Sequence, residues 1–244
     1  MKGMPPTQGV PPRMQDLLYH DLLLPDEVLG IRAKVRAFAE GEIAPVAHAI
    51  ANQEETRENF PRDLFLRMAK SDLFRIPFPG EVGGLGLEYP VCATVTAVEE
   101  LAYASSSIAA VYDVHCILAG HALMYAGEHI RQTYARPMAG GEKIGCFATT
   151  EPEASTDLSL RSLQTKATKK GGRYVVNGRK RFITNAAVAD FATVLVNADG
   201  KLTMLVVDLA ARGCRVGEPI RRWAIGANSP PTSTSTKWRF RPTT

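Results

Sequence analysis

The sequence is poor in cysteine and has no closely spaced cysteine pair. The 244 residues include 4 cysteines, and these stand far apart, at Cys92, Cys116, Cys146 and Cys214. Structural zinc sites and disulfide frameworks both need cysteines at short, recurring spacings. The distribution therefore favours neither a metal site nor disulfides, and we predict a protein of the reducing cytoplasm.

The sequence also lacks a long, uninterrupted apolar run. The longest, residues 108–126, is broken by Asp113, His115 and His121, whereas a membrane-spanning helix needs about 20 predominantly apolar residues. We therefore expect no membrane span. The first residues, MKGMPPTQGVPP, do not have the continuous apolar core of a secretory signal. We expect residues 1–20 to form a flexible N-terminal arm.

Neither sign of charge dominates the composition. Lysine and arginine together number 29 and aspartate and glutamate 25, which gives a net charge of +4 with histidine neutral. A dedicated polyanion binder carries a larger and clustered excess, so we expect no nucleic-acid partner. His115 and His121 are not spaced by the three or four residues that place two side chains on one helix face, and we interpret them as core imidazoles rather than a metal pair.

Up to about residue 140 the apolar residues recur at helical spacing. Five helical patterns follow one another, over residues 26–52, 61–76, 90–100, 107–126 and 128–135. The fourth is apolar on nearly every side, as is typical of a helix buried at the centre of a bundle. The last is predicted to stop at Pro137, because proline lacks the backbone N–H that continues a helix. We predict an all-α helical bundle over residues 21–140.

After residue 140 the hydrophobic period becomes two. Short β-branched or alternating runs cover residues 144–149, 163–168, 174–176, 179–183, 191–196 and 202–207. Turn signals separate them at 169–172, at 197–200 and at Asn177-Gly178, the pair most typical of a two-residue hairpin. We predict an α+β chain, in which the bundle is followed by a small antiparallel β-barrel or sandwich over residues 141–227. Residues 228–244 have no period and little to bury, and we expect a disordered tail.

Six motifs in one order give the sequence a resemblance to a known family. They are residues 76–87 (IPFPGEVGGLGL), 98–102 (VEELA), 141–143 (GEK), 149–157 (TTEPEASTD), 174–180 (YVVNGRK) and 182–190 (FITNAAVAD). With them the chain resembles the N-terminal and middle portions of an acyl-CoA dehydrogenase, a FAD-dependent flavoprotein family, over about residues 21–226. The resemblance implies α,β-dehydrogenation of an acyl-CoA thioester.

The resemblance also implies which segments contact the flavin. In such proteins the loop from Phe147 to Thr156 lies along the ring, with the Thr150 hydroxyl at its pyrimidine edge, where fixed donors favour the reduced, more negative flavin. Phe182 is expected to pack on the ring and Thr184 to point at its hydride-accepting nitrogen, on the same face of a strand. The implied cofactor-binding residues are Phe147, Ala148, Thr149, Thr150, Thr156, Phe182, Ile183 and Thr184, and Thr156 is also expected to contact the acyl-CoA substrate.

The resemblance has departures that bear on activity. The family's loop has glycines where Glu153 and Ser155 stand, so Glu153 is expected either to point to solvent or to alter the fit around the cofactor. After about Asn228 the sequence no longer matches, and we hypothesise an interrupted reading frame. Relatives carry the base glutamate in a third, helical domain, and no residue here matches it. We therefore expect no catalytic residue in this chain, weak binding of FAD and no turnover of acyl-CoA by the 244 residues alone.

Purely structural interpretations of the same residues, and other functions for the chain, stay open. Without the family, Phe182 and Thr184 are an inward aromatic and a β-former on a hairpin strand, and residues 149–157 are a turn-rich loop. The basic triplet 179–181 is expected to be a solvated strand end, with a contact to the CoA phosphates as the alternative. Alternatives for the whole chain are a flavin oxidase or monooxygenase of the same scaffold, or a non-catalytic flavin- or protein-binding fragment. The expected partners are acyl-CoA, an electron-transfer flavoprotein as electron acceptor, and further copies of the chain in a homo-oligomer.

Overall fold

The computed structural model describes residues 24–154 and 157–217. The predicted arm before residue 24 and the predicted tail after residue 227 lie outside the described residues. Helices make up the described chain as far as residue 139, and strands follow from residue 145. The predicted order of an α part and then a β part is therefore confirmed.

The first predicted helix is present with a local irregularity. It consists of α1 (Asp26–Phe38), a π-helical segment (Ala39–Ile43) and α2 (Ala44–Asn52). The π-helical segment ends two residues before Pro45, which lacks a backbone donor for the regular helical hydrogen bonds. The buried side chains of α1 recur every three or four residues, at Val28, Ile31, Val35 and Phe38. This stripe is what attaches α1 to the core.

The remaining helical elements follow in short succession. They are α3 (Arg62–Lys70), α4 (Pro90–Ala104), α5 (Ser106–Tyr112), a π-helical segment (Asp113–Gly120), α6 (His121–Met124), α7 (Glu128–Ile130), a π-helical segment (Arg131–Ala135) and α8 (Arg136–Ala139). Two 3₁₀ turns, Leu73–Arg75 and Gly80–Val82, lie between α3 and α4.

One detail of the helical part differs from the sequence prediction, and another concerns which face of α4 is buried. The last helical run does not stop at Pro137 but continues to Ala139, immediately after the π-helical segment Arg131–Ala135, where the regular i→i−4 hydrogen bonds are already interrupted and a missing N–H costs less. The face of α4 that carries Val91 and Val95 points outward, with 69% and 62% of these side chains exposed. The inward face of α4 is formed by small residues, Leu101 and the buried carboxylate of Glu100.

The predicted central apolar helix is the continuous run Ser106–Met124. Ser105 caps it, its side chain accepting a hydrogen bond from the Ile108 N–H. Among the described residues it is the one helix long and apolar enough to cross a membrane by length and composition, and 44% of its apolar window is buried inside the protein. Tyr112, His115 and Cys116 of this run are fully buried, as befits a core helix.

The described strands form one mixed sheet. They are β1 (Gly145–Ala148), β2 (Lys166–Lys170), β3 (Arg173–Asn177), β4 (Phe191–Ala198) and β5 (Lys201–Asp208). β4 is central: it pairs in parallel with β1 and, at its end, with β2, and antiparallel with β5. The predicted small antiparallel barrel or sandwich is confirmed for the β2–β3 and β4–β5 pairs, but the described sheet as a whole is mixed and not closed. Long loops rather than hairpins follow β1 and β3, and such connections permit parallel pairing.

Two of the three predicted hairpin turns are confirmed. β2 and β3 are joined by Gly171-Gly172, and β4 and β5 by Asp199-Gly200, with positive φ at all four residues. Asn177-Gly178 forms no hairpin, and the predicted strand over 179–183 is absent. A different constraint explains the glycine at position 178. A Cβ there would lie 2.4 Å from the Thr165 side chain, so the close approach of Thr165 to the backbone requires glycine.

A buried histidine joins the helical part to the sheet. His115 Nε2 lies 3.1 Å from the Met138 carbonyl oxygen, and the Gly145 N–H donates to His115 Nδ1 at 3.2 Å. The ring therefore links the central helix, α8 and the start of β1. Burial lowers the pKa of His115 to about 4, so the ring is neutral, as an acceptor at Nδ1 requires. The interpretation of His115 as a core imidazole is confirmed.

Candidate functional site

The first predicted site segment lies at the end of β1. Phe147 is half-buried and Ala148 fully buried within the strand. Thr149 and Thr150 follow the strand and are half-buried, so their side chains are neither sealed in the core nor fully in solvent. Pairing of β1 with the central strand β4 fixes this end of the chain in the sheet. The segment therefore offers short hydroxyl side chains from a rigid support.

The second predicted segment is a turn rather than a strand. Phe182 and Asn185 have positive φ values of 60° and 67°, and such backbone is uncommon for residues other than glycine. The alternation argument that places Phe182 and Thr184 on one strand face is therefore wrong. The Asn185 side chain donates to the Val111 carbonyl at 3.1 Å, which holds the turn on the central helix. Phe182 is 57% exposed, while Ile183 and Thr184 are half-buried.

The structure brings the two segments together. The Arg181 N–H donates to the Thr150 carbonyl at 2.9 Å, and Lys180 Nζ donates to the Thr149 carbonyl at 3.0 Å. The two segments are 31 residues apart along the chain at the second of these contacts. The threonines after β1 and the turn at Phe182 therefore belong to one surface region.

A buried ion pair lies at the same junction. Lys180 Nζ is 2.9 Å from Glu151 Oε1, and the exposed fractions of Lys180 and Glu151 are 0% and 2%. The expectation that the triplet 179–181 is a solvated strand end is wrong for Lys180, although Arg179 is exposed and Arg181 half-buried. Lysine and glutamate are almost never fully buried unless they are paired.

Hydrogen bonds satisfy both members of the pair. Besides Lys180, the Glu151 carboxylate accepts the N–H of Gln164 at 2.6 Å and that of Thr165 at 2.9 Å. Burial raises the pKa of Glu151, but these bonds and the ammonium outweigh it and hold the pKa below its usual range. Burial lowers the pKa of Lys180, which the bond and charge of Glu151 partly offset. The carboxylate is thus kept ionised beside its partner.

Arg181 lies against the exposed aromatic ring of the site. Its guanidinium carbon is 4.4 Å from the centroid of the Phe182 ring, a cation–π arrangement. The Nε atom of Arg181 is buried and has no hydrogen-bond partner among the described residues. The site thus combines a flat aromatic ring, a cation and half-buried hydroxyls.

The loop between β1 and β2 is partly described. Glu153 is exposed, which is the solvent-facing alternative of the two expected for it. Asp157 accepts the Ser159 N–H at 2.9 Å and is hydrogen-bonded to Ser162, and the Ser162 and Ser159 bonds lower its pKa. Thr156, predicted to contact both flavin and substrate, and Ser155 lie outside the described residues.

Glu151 and Lys180 are the site residues that sequence reasoning missed. Each stands inside a motif that carries the family resemblance, one in the loop 149–157 and the other at the end of residues 174–180. In the sequence each looks like an ordinary charged residue of a polar stretch. The one sequence signal that the two residues share is that each stands beside a predicted site segment. Their pairing, between positions 29 residues apart, becomes visible only in the fold.

Comparisons with known proteins agree with the architecture. The family model described as "Acyl-CoA dehydrogenase, N-terminal domain" matches residues 25–142, and "Acyl-CoA dehydrogenase, middle domain" matches residues 146–235. An acyl-CoA dehydrogenase of Bacillus subtilis is 33% identical over 210 residues, covering 83% of this chain and 53% of the relative. A short-chain specific acyl-CoA dehydrogenase of Clostridium acetobutylicum is 34% identical over 205 residues, covering 82% of this chain and 52% of the relative.

A solved structure shows the same fold. Glutaryl-CoA dehydrogenase of Mycobacterium smegmatis, solved in complex with FADH2, superposes with a TM-score of 0.78 at 24% identity, covering 92% of this chain and 55% of the other. The chain spans about half the length of the curated relatives that it matches. Both family models, in order and over most of the described residues, show that the chain belongs to the acyl-CoA dehydrogenase family.

Proposed function

We propose that the chain forms the helical and flavin-contacting parts of a FAD-dependent acyl-CoA dehydrogenase. The observation that carries the proposal is the junction at which the Arg181 N–H donates to the Thr150 carbonyl. It joins the two segments that family resemblance assigns to the flavin. A binding site assembled from separate parts of a sequence must bring those parts within reach of one ligand. The hydrogen bond between Arg181 and Thr150 supports such proximity of the two segments.

The side chains at the junction suit a flavin ring. An isoalloxazine is flat and apolar on its faces and polar along one edge. Phe182, largely exposed on a strained turn, offers an aromatic face, and the half-buried Thr150 and Thr184 offer hydroxyl donors without a countercharge. We assign these three residues, with Phe147, Ala148, Thr149 and Ile183 beside them, to FAD, and Thr156 to FAD and the acyl-CoA thioester.

The proposed reaction of the whole protein is α,β-dehydrogenation of an acyl-CoA thioester. A base removes the α proton, and the β hydrogen leaves with its electron pair as hydride. FAD, when bound, supplies the hydride acceptor. The residues of this chain would position the ring and hold donors at its polar edge, where negative charge increases on reduction. We assign the role of the base to no residue of the chain.

The remaining parts of the proposal concern the setting of the reaction. We propose an electron-transfer flavoprotein as the electron acceptor, a homo-oligomer as the assembled form and the cytoplasm as the compartment. For the polypeptide of 244 residues by itself we expect measurable but weak binding of FAD and no turnover of acyl-CoA. Residues 21–140 and 141–227 are proposed as the helical and the flavin-binding domain.

Removal of single hydroxyls tests the proposed flavin contacts. Thr150→Val and Thr184→Val keep side-chain shape and delete a donor, so each should weaken FAD binding by about three- to tenfold, the worth of one hydrogen bond. Flavin fluorescence during a FAD titration reports the dissociation constant. Thr168→Val on β2, where Thr168 is exposed, is the matched control and should leave it unchanged. Equal affinities for all three variants, or no binding by the unmodified protein, would refute the proposal.

A further inference from the structure

The buried Glu151–Lys180 pair connects three separate stretches of backbone. Glu151 belongs to the stretch that follows β1, and its carboxylate accepts the N–H groups of Gln164 and Thr165, just before β2. Lys180 belongs to the stretch that follows β3 and donates back to the Thr149 carbonyl. One ion pair therefore fixes where the chain leaves β1, enters β2 and runs on beyond β3.

Stability alone is a weak reason for such a pair. Removing two charges from water is unfavourable, and a buried pair replaced by well-packed apolar side chains is often no less stable. What an apolar replacement cannot reproduce is direction: an ammonium and a carboxylate hold particular donors and acceptors at fixed distances. The benefit of this pair is therefore expected in the placement of its neighbours.

Those neighbours are the proposed flavin contacts. The carbonyl that Lys180 holds belongs to Thr149, next to Thr150, and the residue after Lys180 donates its N–H to the Thr150 carbonyl. Phe182 follows immediately, in left-handed backbone that needs support from its surroundings. A shift of Lys180 would therefore move both flavin-facing segments relative to each other.

We propose that Glu151 and Lys180 are positioning residues for the cofactor: their ion pair sets the distance between Thr150 and the Phe182–Thr184 turn, and thereby the affinity for the flavin. The inference rests on the proposed function, because it concerns how that site is held. It assigns no contact with the flavin to either charged side chain.

A substitution matched for stability tests the role. Lys180→Met removes the ammonium and its bond to the Thr149 carbonyl. Leu101→Ala, in the fully buried core of the helical part, is a control of comparable destabilisation outside the site. At a temperature at which both variants are folded, Lys180→Met should weaken FAD binding by about tenfold or more, while Leu101→Ala stays within about twofold of the unmodified protein. Lys180→Arg retains a cation that can donate to the Glu151 carboxylate and the Thr149 carbonyl, so it should recover part of the affinity, limited by the larger side chain at a fully buried position.

Equal affinity of Lys180→Met and the Leu101→Ala control would overturn the inference and leave the proposed function intact. Absence of FAD binding by the unmodified protein would instead refute the proposed function. The two failures are therefore distinguishable in one set of titrations.

Amide hydrogen exchange of the unmodified protein provides a second test that needs no substitution. If the pair holds the junction as a unit, the amides of Gln164, Thr165 and Arg181 should exchange through one common opening. FAD should slow all three by the same factor, because the ligand stabilises the closed junction. An Arg181 amide that exchanges independently of the other two would overturn the inference even if Lys180→Met failed to fold.

Discussion

The helical part and the loops at the end of the sheet differ in what mainly holds them. Apolar packing dominates the helical part, although α4 also buries Glu100, which accepts two hydrogen bonds from Arg36 at 3.1 and 3.2 Å. The helical core is built from large side chains, among them Phe65 and Phe74, whose ring centroids are 4.5 Å apart, and Tyr112. The buried cluster of the sheet consists mainly of alanine and valine, with Cys146. Small side chains bury less apolar area each, and the loops at the end of the sheet are fixed by the buried Glu151–Lys180 pair instead.

The difference indicates a division of labour within the chain. Apolar packing tolerates exchange of one hydrophobic side chain for another of similar volume, so the helical part is specified mainly by shape. The junction at Thr150 and Arg181 is specified by donors and acceptors whose geometry is narrow. A site that must place hydroxyls around a ligand needs the second kind of support.

The largest expected effect breaks the polar support of the sheet. Glu151→Leu leaves the Lys180 ammonium buried without its partner and removes the acceptor of two backbone N–H groups. We expect a loss of about 3–5 kcal/mol in the free energy of unfolding, measured by urea denaturation. Glu42→Leu is the control, since Glu42 pairs with Arg67 at the same 2.9 Å but is 47% exposed, and it should cost at most about 1 kcal/mol. Similar losses for the two variants would contradict the comparison.

An intermediate effect concerns His115, the buried residue that joins the helical part to the sheet. Burial lowers the pKa of His115 to about 4 from an ordinary value of 6.5. At pH values between these two pKa values, His115 therefore binds a proton in the unfolded chain but not in the folded chain. Stability contributed by the neutral ring is therefore present above pH 6.5 and is lost as the pH falls, by about 1.5 kcal/mol between pH 6.5 and 5.

The substitution His115→Gln tests this pH dependence. Glutamine offers both an acceptor and a donor to the joint but does not titrate, so the variant should lose stability less steeply than the unmodified protein over the same interval. Denaturant unfolding at several pH values measures the two slopes. Parallel slopes would show that His115 is not the titrating group of the joint.

The smallest expected effects come from two glycines, one in each part. Gly178→Ala places a methyl group 2.4 Å from the Thr165 side chain and should destabilise the sheet by about 1–3 kcal/mol. Gly30→Ala, in α1 with no described residue outside its own helix within 4 Å of the added carbon, should stabilise the helix by about 0.5–1 kcal/mol. Thermal unfolding reports both changes, and a destabilised Gly30→Ala or a neutral Gly178→Ala would contradict the packing described here.

Much of the fold was predictable because local signals determine it. Helical periodicity located α1 and the central helix, and glycines with positive φ located the turns at 171–172 and 199–200. The order of the strands was not predictable, because the parallel pairing of β1 with β4 depends on contacts between residues 46 positions apart. The hairpin predicted at Asn177-Gly178 is wrong for a physical reason. Glycine stands at position 178 because Thr165 approaches the backbone closely there, and no local sequence pattern reveals this contact.

The candidate site was predictable in its segments but not in its construction. Motifs gave Thr149, Thr150 and the 182–184 segment, yet the alternation argument for Phe182 failed, because its left-handed backbone lies in a turn. A lysine within a basic triplet has no feature that marks it as buried. Its burial became evident once the fold placed Glu151 beside it.

A structure of the protein crystallised with saturating FAD tests the central claim most directly. We predict that the flavin ring lies against Phe182, with the Thr150 and Thr184 side chains within hydrogen-bonding distance of its polar atoms. A flavin bound elsewhere on the protein, or one whose ring both threonines face away from, would contradict the account.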